Sequence, residues 1–356
     1  MAKKRNIVLV INDLKGNGAE RVVITLASGF CEAGHSASIV CFKRFIELPI
    51  PDSIPVFIFS GNRFRWLPRF IRGIVIAPWI DRFIKKEIGS PDLVLSNLIP
   101  ADRIMAYSRL PKVHFIIHNT LSSEMKSYFT GKLKSELAER KKIYDRKPSI
   151  CVSRGVEKDL REFLGDGSRN KIKTIPNPVD EYLIRDMAEE KKTDIISDAI
   201  IHVGKFKEQK RQDRLIRAYH ISKCSYPLVF IGQGELLPKA KELVKELNLE
   251  SKVYFLGFRK NPYPYIKAAR LLVLCSDFEG LGMVLLEALT LGTAAISSNC
   301  QSGPSEVLPS MNLFKTDDID DMVQVLKRAT ENPISYTPPL NRNFLKQSAV
   351  RKYLVL

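Results

Sequence analysis

The sequence predicts an α/β chain of two Rossmann-like, doubly wound domains facing each other across a cleft. Three observations lead there. Short continuous apolar runs alternate with helix-period segments through both halves. A proline-bracketed polar stretch divides the chain near its middle. The 356 residues exceed one ordinary core, at roughly 150 residues per domain.

Taken in order, residues 7–11 read as a buried first strand, followed by an amphipathic helix over 19–33 that Gly34-His35 closes. Further strands are expected at 37–42, 92–96, 113–117 and 149–153, the last leading into a helix near Gly155. In the second half they fall at 199–203, 228–231, 253–256, 271–275 and 294–297, and a short helix is expected near 343–353. Uninterrupted apolar strands separated by helices indicate parallel sheets covered on both faces. Ile175-Pro176-Asn177-Pro178-Val179-Asp180, then a charged stretch through Glu189-Glu190-Lys191-Lys192, reads as the linker. The expected domains are therefore 1–180 and 181–335, with a tail over 336–356 that packs back on the N-terminal domain. Ligands of such sheets bind beyond the carboxyl ends of the strands, so the cleft is the expected site.

Hydrophobic residues make up 45% and charged residues 27%, which excludes disordered, collagenous and coiled-coil chains. No run reaches the roughly 18 apolar residues a membrane span needs. The apolar run after Lys3-Lys4-Arg5 is too short for a signal peptide and lacks a cleavage site, so a cytoplasmic protein is expected. The six cysteines form no C-x-x-C pair and read as free, mostly buried thiols. The five histidines make no metal-binding pattern, so neither metal nor cofactor is expected.

The net charge is +17, and it is unevenly placed. Residues 1–185 carry 32 basic against 19 acidic residues, a net of +13, and the remainder carries only +4. The N-terminal half is thus expected to face a polyanion. Between Gly61 and Lys86, seven cations (Arg63, Arg65, Arg69, Arg72, Arg82, Lys85, Lys86) stand against Asp81 alone. Phe64, Trp66, Phe70, Trp79 and Phe83 are interleaved with them. That mixture suits an anionic membrane surface; a surface helix pair with its aromatics in the core is the alternative.

The chemistry is expected where strands end. After the strand at 271–275 come Ser276-Asp277-Phe278-Glu279-Gly280-Leu281-Gly282, with a helix starting near Met283. Its free N–H groups and dipole form an anion site. Glu279 in the loop can reach sugar hydroxyls, and Glu287 on the helix can accept two ribose hydroxyls. Solvated helix-terminus charges are the bland alternative for both. After Val203, Lys205 and Lys210 can close over a diphosphate and stabilise its departure, the work otherwise done by a metal ion; taken alone, a solvated loop is the alternative. In the first half, Gly16-Asn17-Gly18 between strand and helix lets backbone approach a ligand closely, with a tight strand-to-helix turn as the alternative.

Together these motifs resemble the retaining glycosyltransferases of the GT-B fold, family GT4. The resemblance covers nearly the whole chain and centres on E-x7-E as Glu279…Glu287. It is supported by Gly18-Ala-Glu-Arg21, Ile175 to Asp180, Val203-Gly-Lys-Phe206 with Lys210, Gly232-Gln-Gly234, Phe255-Leu-Gly257 and Ser302-Gly-Pro-Ser-Glu-Val307. The N-terminal half is similar to lipopolysaccharide-core glycosyltransferases. The resemblance implies that Lys205 and Lys210 bind the donor's diphosphate and Glu287 its ribose. Glu279 with Gly280, Leu281, Gly282, Met283 and Val284 would contact phosphates and transferred sugar. Arg259, with Phe258, would lie by the uracil; Gly16 and Gly18 would approach phosphate or acceptor; and His118 would contact the donor sugar. Two departures stand out: lysine replaces a common arginine at 205, losing its bidentate fork, and Asn17 splits the glycine pair.

The expected activity is metal-independent transfer of a hexose or N-acetylhexosamine from a UDP-sugar to a lipid-linked or lipopolysaccharide-core acceptor. It would take place on the anionic cytoplasmic face of the inner membrane. The alternatives are a UDP-sugar epimerase of the same fold and, remotely, a nucleic-acid-binding protein. The latter has no recognisable helix-turn-helix, RNP or zinc pattern, so no nucleic-acid partner is expected.

Overall fold

The computed structural model describes residues 3–16, 18–61, 66–128 and 133–356. They form two compact units, Met1–Pro178 with Leu345–Leu356, and Val179–Phe344.

The first unit opens with β1 (Asn6–Ile11), α1 (Gly18–Glu32), β2 (Ser36–Cys41), β3 (Val56–Ile58) and α2 (Arg69–Glu87). It continues with β4 (Leu93–Asn97), α3 (Ile99–Met105), β5 (Val113–Ile117), α4 (Leu121–Tyr128) and α5 (Leu133–Tyr144). β6 (Ser149–Cys151), α6 (Arg154–Leu164) and β7 (Ile172–Thr174) complete its main run. Its parallel strands lie in the order β3-β2-β1-β4-β5-β6-β7. Ile7 pairs with Ala37 on one side and Leu93 on the other, which makes β1/β4 the point where the strand order reverses. Residues 7–11 are wholly buried, as a strand covered on both faces requires.

Where the alternative reading puts a helix pair, the described residues between 61 and 86 hold one helix, α2, which runs through Pro78. Phe83 packs edge-on against Phe59 at 5.4 Å, but Trp66 and Trp79 are exposed. Arg63, Phe64 and Arg65, the side chains of Arg69 and Phe70, and Asn17 lie outside the described residues.

In the second unit α7 (Glu181–Met187) precedes β8 (Ile200–Val203), α8 (Gln212–Ser222), β9 (Leu228–Ile231), α9 (Leu237–Glu246) and β10 (Val253–Gly257). α10 (Tyr263–Ala268), β11 (Leu271–Leu274), α11 (Met283–Leu291) and β12 (Ala294–Ser298) follow. α12 (Pro304–Val307), β13 (Leu313–Phe314) and α13 (Ile319–Glu331) end it. Its sheet runs β10-β9-β8-β11-β12-β13, all parallel, with the reversal at β8/β11. Phe206, Phe230 and Phe255 stack inside it, the last two 5.3 Å apart, so the loop after β8 is pinned to the core. The fully buried rings of Phe206 and Phe230 each stabilise by about 1.5–3 kcal/mol.

Beyond Phe344 the chain returns to the first unit as α14 (Lys346–Leu354). Tyr353 meets Phe30 of α1 edge-on at 6.2 Å, and Lys346 reaches Glu32 at 2.6 Å. All six cysteines are free, and Cys41, Cys151, Cys275 and Cys300 are buried. No described helix is long and apolar enough to cross a membrane.

Candidate active site

The loops after β8 and β11 leave the second sheet side by side at its switch point, where doubly wound sheets bind their ligands. The β8 loop is held by backbone bonds from Gly204 N–H to Ile231 O (2.9 Å) and from Phe206 N–H to Gln233 O (3.1 Å). Lys205 is exposed on it. Lys210 is half-buried, and its stem lies against Gly204.

Lys210 Nζ is 2.6 Å from Glu279 Oε1, and Ser276 Oγ donates to that same oxygen at 2.6 Å. Glu279 and Glu287 are 8% and 9% exposed, so neither is the solvated helix-terminus charge of the bland alternative. The Glu279 backbone is fixed too, because Ser302 Oγ donates to its carbonyl at 2.5 Å and Ser298 Oγ to that of Ser276 at 2.6 Å.

A clamp beneath the pair ties the two loops together. The Asp277 N–H donates to Gln209 O (2.9 Å), the Gln209 side chain to Phe278 O (2.5 Å), and Cys275 Sγ to Lys210 O (3.1 Å). Arg214, 3% exposed, donates to Cys275 O, Asp277 and Asp317 at 2.8–3.1 Å. Arg211, at φ 47, adds a second guanidinium 3.3 Å from Asp277. His202 lies fully buried below. Its Nδ1 is 2.9 Å from the Val273 carbonyl, and burial pushes its pKa down to about 4, so the ring is neutral near pH 7.

Gly282, at φ 81, starts α11 in the left-handed region that favours glycine. No side chain caps this helix. The N–H groups of Gly280, Leu281, Gly282, Met283 and Val284 have no hydrogen-bond partner among the described residues. Five consecutive donors at a helix N-terminus make an anion site, and Lys210 and Glu279 stand at its entrance. Glu287 sits on the second turn of the same helix.

Arg259 follows the end of β10. Its guanidinium is committed to Asp194 (2.6 Å) and the Tyr265 hydroxyl (3.1 Å), not to the Lys210–Glu279 group, while Phe258 beside it is 44% exposed.

In the first unit, Gly16 has φ 99 and Gly18 begins α1, both at the carboxyl end of β1. His118 follows β5. Asn97, the last residue of β4, donates its amide to Val10 O (3.3 Å) and Leu95 O (3.0 Å), which leaves Oδ1 to face His118 Nε2 at 2.9 Å. That nitrogen therefore carries the hydrogen. Nδ1 is left as a bare acceptor, buried and without a partner among the described residues. Burial lowers the ring's pKa to about 4. The arrangement suits a neutral histidine awaiting a hydroxyl donor.

Sequence reasoning passes over Ser276, Ser298, Ser302, Gln209, Arg214, His202 and Asn97. Ser276 and Ser302 stand inside motifs that do not mark their bonds to Glu279, and the partner of Gln209, Phe278, lies 69 positions away. Among the described residues no three His, Cys, Asp or Glu side chains gather as a metal site would require.

The chain matches two family models in tandem, Glycosyltransferase Family 4 over residues 16–182 and Glycosyl transferases group 1 over 186–349. An uncharacterised glycosyltransferase of Methanocaldococcus jannaschii is 33% identical over 65% of this chain and 61% of that protein. Lipopolysaccharide 1,6-galactosyltransferase of Escherichia coli is 30% identical over 50% of this chain and 48% of its own length. The chain thus spans about half to three-fifths of these relatives. Among solved structures, Anabaena HepE in complex with UDP and glucose superposes with a TM-score of 0.72 at 18% identity, covering 98% of this chain and 94% of that one. The lipopolysaccharide outer core galactosyltransferase WaaB gives 0.66 at 20% identity, covering 98% and 95%. Those two structures share the fold described above. With the family models following one another along both doubly wound units, the chain belongs to the GT-B glycosyltransferases of the Family 4 and group 1 type.

Proposed function

We propose that the chain transfers a hexose or N-acetylhexosamine from a UDP-sugar to a lipid-linked glycan acceptor, with retention and without a metal ion. The setting is lipopolysaccharide-core or other cell-surface polysaccharide synthesis on the anionic cytoplasmic face of the inner membrane. The observation that carries the reading is the second unit's anion site, five free N–H groups beside Lys210 and Glu279 at the switch point. HepE, which shares the fold, is solved with UDP and glucose, and relatives are named as a lipopolysaccharide 1,6-galactosyltransferase and an amylovoran biosynthesis glycosyltransferase, which supports the donor and acceptor classes.

In this reading the diphosphate docks on residues 280–284, with Lys205 and Lys210 closing over it. Glu287 takes the ribose hydroxyls, and Glu279 and His118 orient the sugar, His118 through its free Nδ1. The glycosidic C1–O bond breaks with its electron pair leaving on the diphosphate. The acceptor hydroxyl attacks C1 from that same face and gives its proton to a phosphate oxygen. Glu279 positions the donor and is not the nucleophile. Charge neutralisation by the lysines and amides is the largest catalytic contribution.

The test is a product assay in EDTA with radiolabelled UDP-glucose, UDP-galactose and UDP-N-acetylglucosamine and a lipid-linked oligosaccharide. Label in the lipid fraction as an α-glycoside is the expected result. A β-glycoside would refute retention, and activity restored only by a divalent ion would refute metal independence. Conversion of the free UDP-sugar without acceptor would identify an epimerase instead.

A further inference from the structure

We infer that the outward face of α2 is a preformed docking surface for the headgroup layer of an anionic bilayer, an inference that rests on the membrane-facing reading above. Ile74, Val75, Pro78, Trp79, Arg82, Lys85 and Lys86 recur at helical spacing and form one face. Ile74, Val75 and Trp79 are 51%, 36% and 46% exposed, and Trp66 just ahead of the helix is 79% exposed. Arg82, Lys85 and Lys86 continue the face as exposed cations, Lys86 lying 3.3 Å from Glu87.

The opposite side of α2 is already satisfied. Ile76, Ala77, Ile80 and Ile84 are buried, and Asp81 accepts from Ser108 Oγ (2.6 Å) and the Arg109 N–H (2.7 Å). At Gly73 a Cβ would stand 2.3 Å from the Arg103 carbonyl, so α2 and α3 touch backbone to backbone. The exposed apolar residues are therefore held outward by a rigid helix that has its own core contacts.

An apolar segment followed by cations matches the layering of a bilayer edge. Tryptophan and branched aliphatic side chains enter the acyl–headgroup boundary while arginine and lysine meet lipid phosphates. The net +13 of residues 1–185 favours an anionic surface. Ile74 and Val75 argue against nucleic acid, whose bases stack on aromatic faces and gain little from branched aliphatic chains. The helix lies on the surface without crossing it, since it is not apolar enough to span.

Both tryptophans of the protein belong to this surface, so their fluorescence reports on it directly. The full chain is titrated with vesicles of equal phosphatidylglycerol and phosphatidylcholine, with phosphatidylcholine alone and with single-stranded DNA, following emission and cosedimentation together. Emission should shift to the blue with anionic vesicles only, and brominated acyl chains should quench it. Arg82→Gln with Lys85→Gln should weaken vesicle affinity about 30-fold, from about fivefold per cation near the surface. Trp79→Glu, and separately Ile74→Gln with Val75→Gln, should weaken it while leaving the circular dichroism spectrum unchanged. Cosedimentation with unmoved emission would overturn the α2 assignment but keep the membrane reading. No cosedimentation would overturn both, and a blue shift with DNA but not vesicles would point to nucleic acid. Sugar transfer is judged separately by the product assay.

Discussion

Lys210 and Glu279 meet at 2.6 Å, so in the proposed reaction a diphosphate would compete with the Glu279 carboxylate for the ammonium. Ser276 Oγ donates to the same Glu279 oxygen, so the carboxylate keeps a donor if Lys210 turns to the diphosphate, and the proposed contact with the sugar would be preserved. Removing one donor aimed at developing charge typically costs roughly 3–4 kcal/mol. Lys210→Ala should accordingly lower turnover on the order of 100-fold or more while the protein stays folded, and a variant with near-normal steady-state turnover would refute the role. These residues are legible in the chain because they punctuate strand ends, where apolar runs stop and glycines begin. Gln209 is not, because its partner, the Phe278 carbonyl, arrives only when β8 and β11 pair, and Ser276 and Ser302 are not, because a serine hydroxyl in a loop carries no mark of the Glu279 atom it will bond. Arg259 is legible by position only, since its guanidinium turns to Asp194 and Tyr265.

The two loops that carry the pair are one device at the level of elements. Arg214 at the start of α8 grips Cys275 O and Asp277 after β11, and so sets the spacing of Lys210 and Glu279 without touching either. Misplacement near 1 Å can cost about 100-fold in rate. Arg214→Met should lower turnover about 10- to 100-fold in the native chain but hardly further in Lys210→Ala, whereas its effect on melting temperature should be the same in both. Equal losses of rate in both backgrounds would make Arg214 merely structural. Most elements can be read from the sequence because strands such as β1 and β11 are unbroken apolar runs buried on both faces. β3, β7 and β13 escape that reading, being edge strands of two or three residues with partial burial and no run to detect. The course of α2 through Pro78 is likewise decided by tertiary contacts, those of Asp81 and Gly73, over local propensity.

Across the whole molecule, the switch-point architecture joins function to acid sensitivity through His202. Its ring is neutral in the native state with a pKa near 4, against about 6.5 when unfolded. The unfolded chain therefore takes up the proton first as pH falls below 6.5, and native stability declines through the window down to 4. The stability advantage of the native chain over His202→Asn, from urea unfolding, should shrink by about 2 kcal/mol between pH 7 and pH 5. An advantage that is constant or grows would contradict the buried neutral ring. The proposed transfer requires the second unit to hold a nucleoside diphosphate through its helix amides, lysines and Glu287. Calorimetric titration of UDP, ADP and GDP in EDTA, on the native chain, Lys210→Ala and Glu287→Ala, tests it most directly. The proposed function predicts UDP-selective binding that weakens in both variants; binding of none of the three nucleotides, or UDP binding unchanged in both variants, would contradict it.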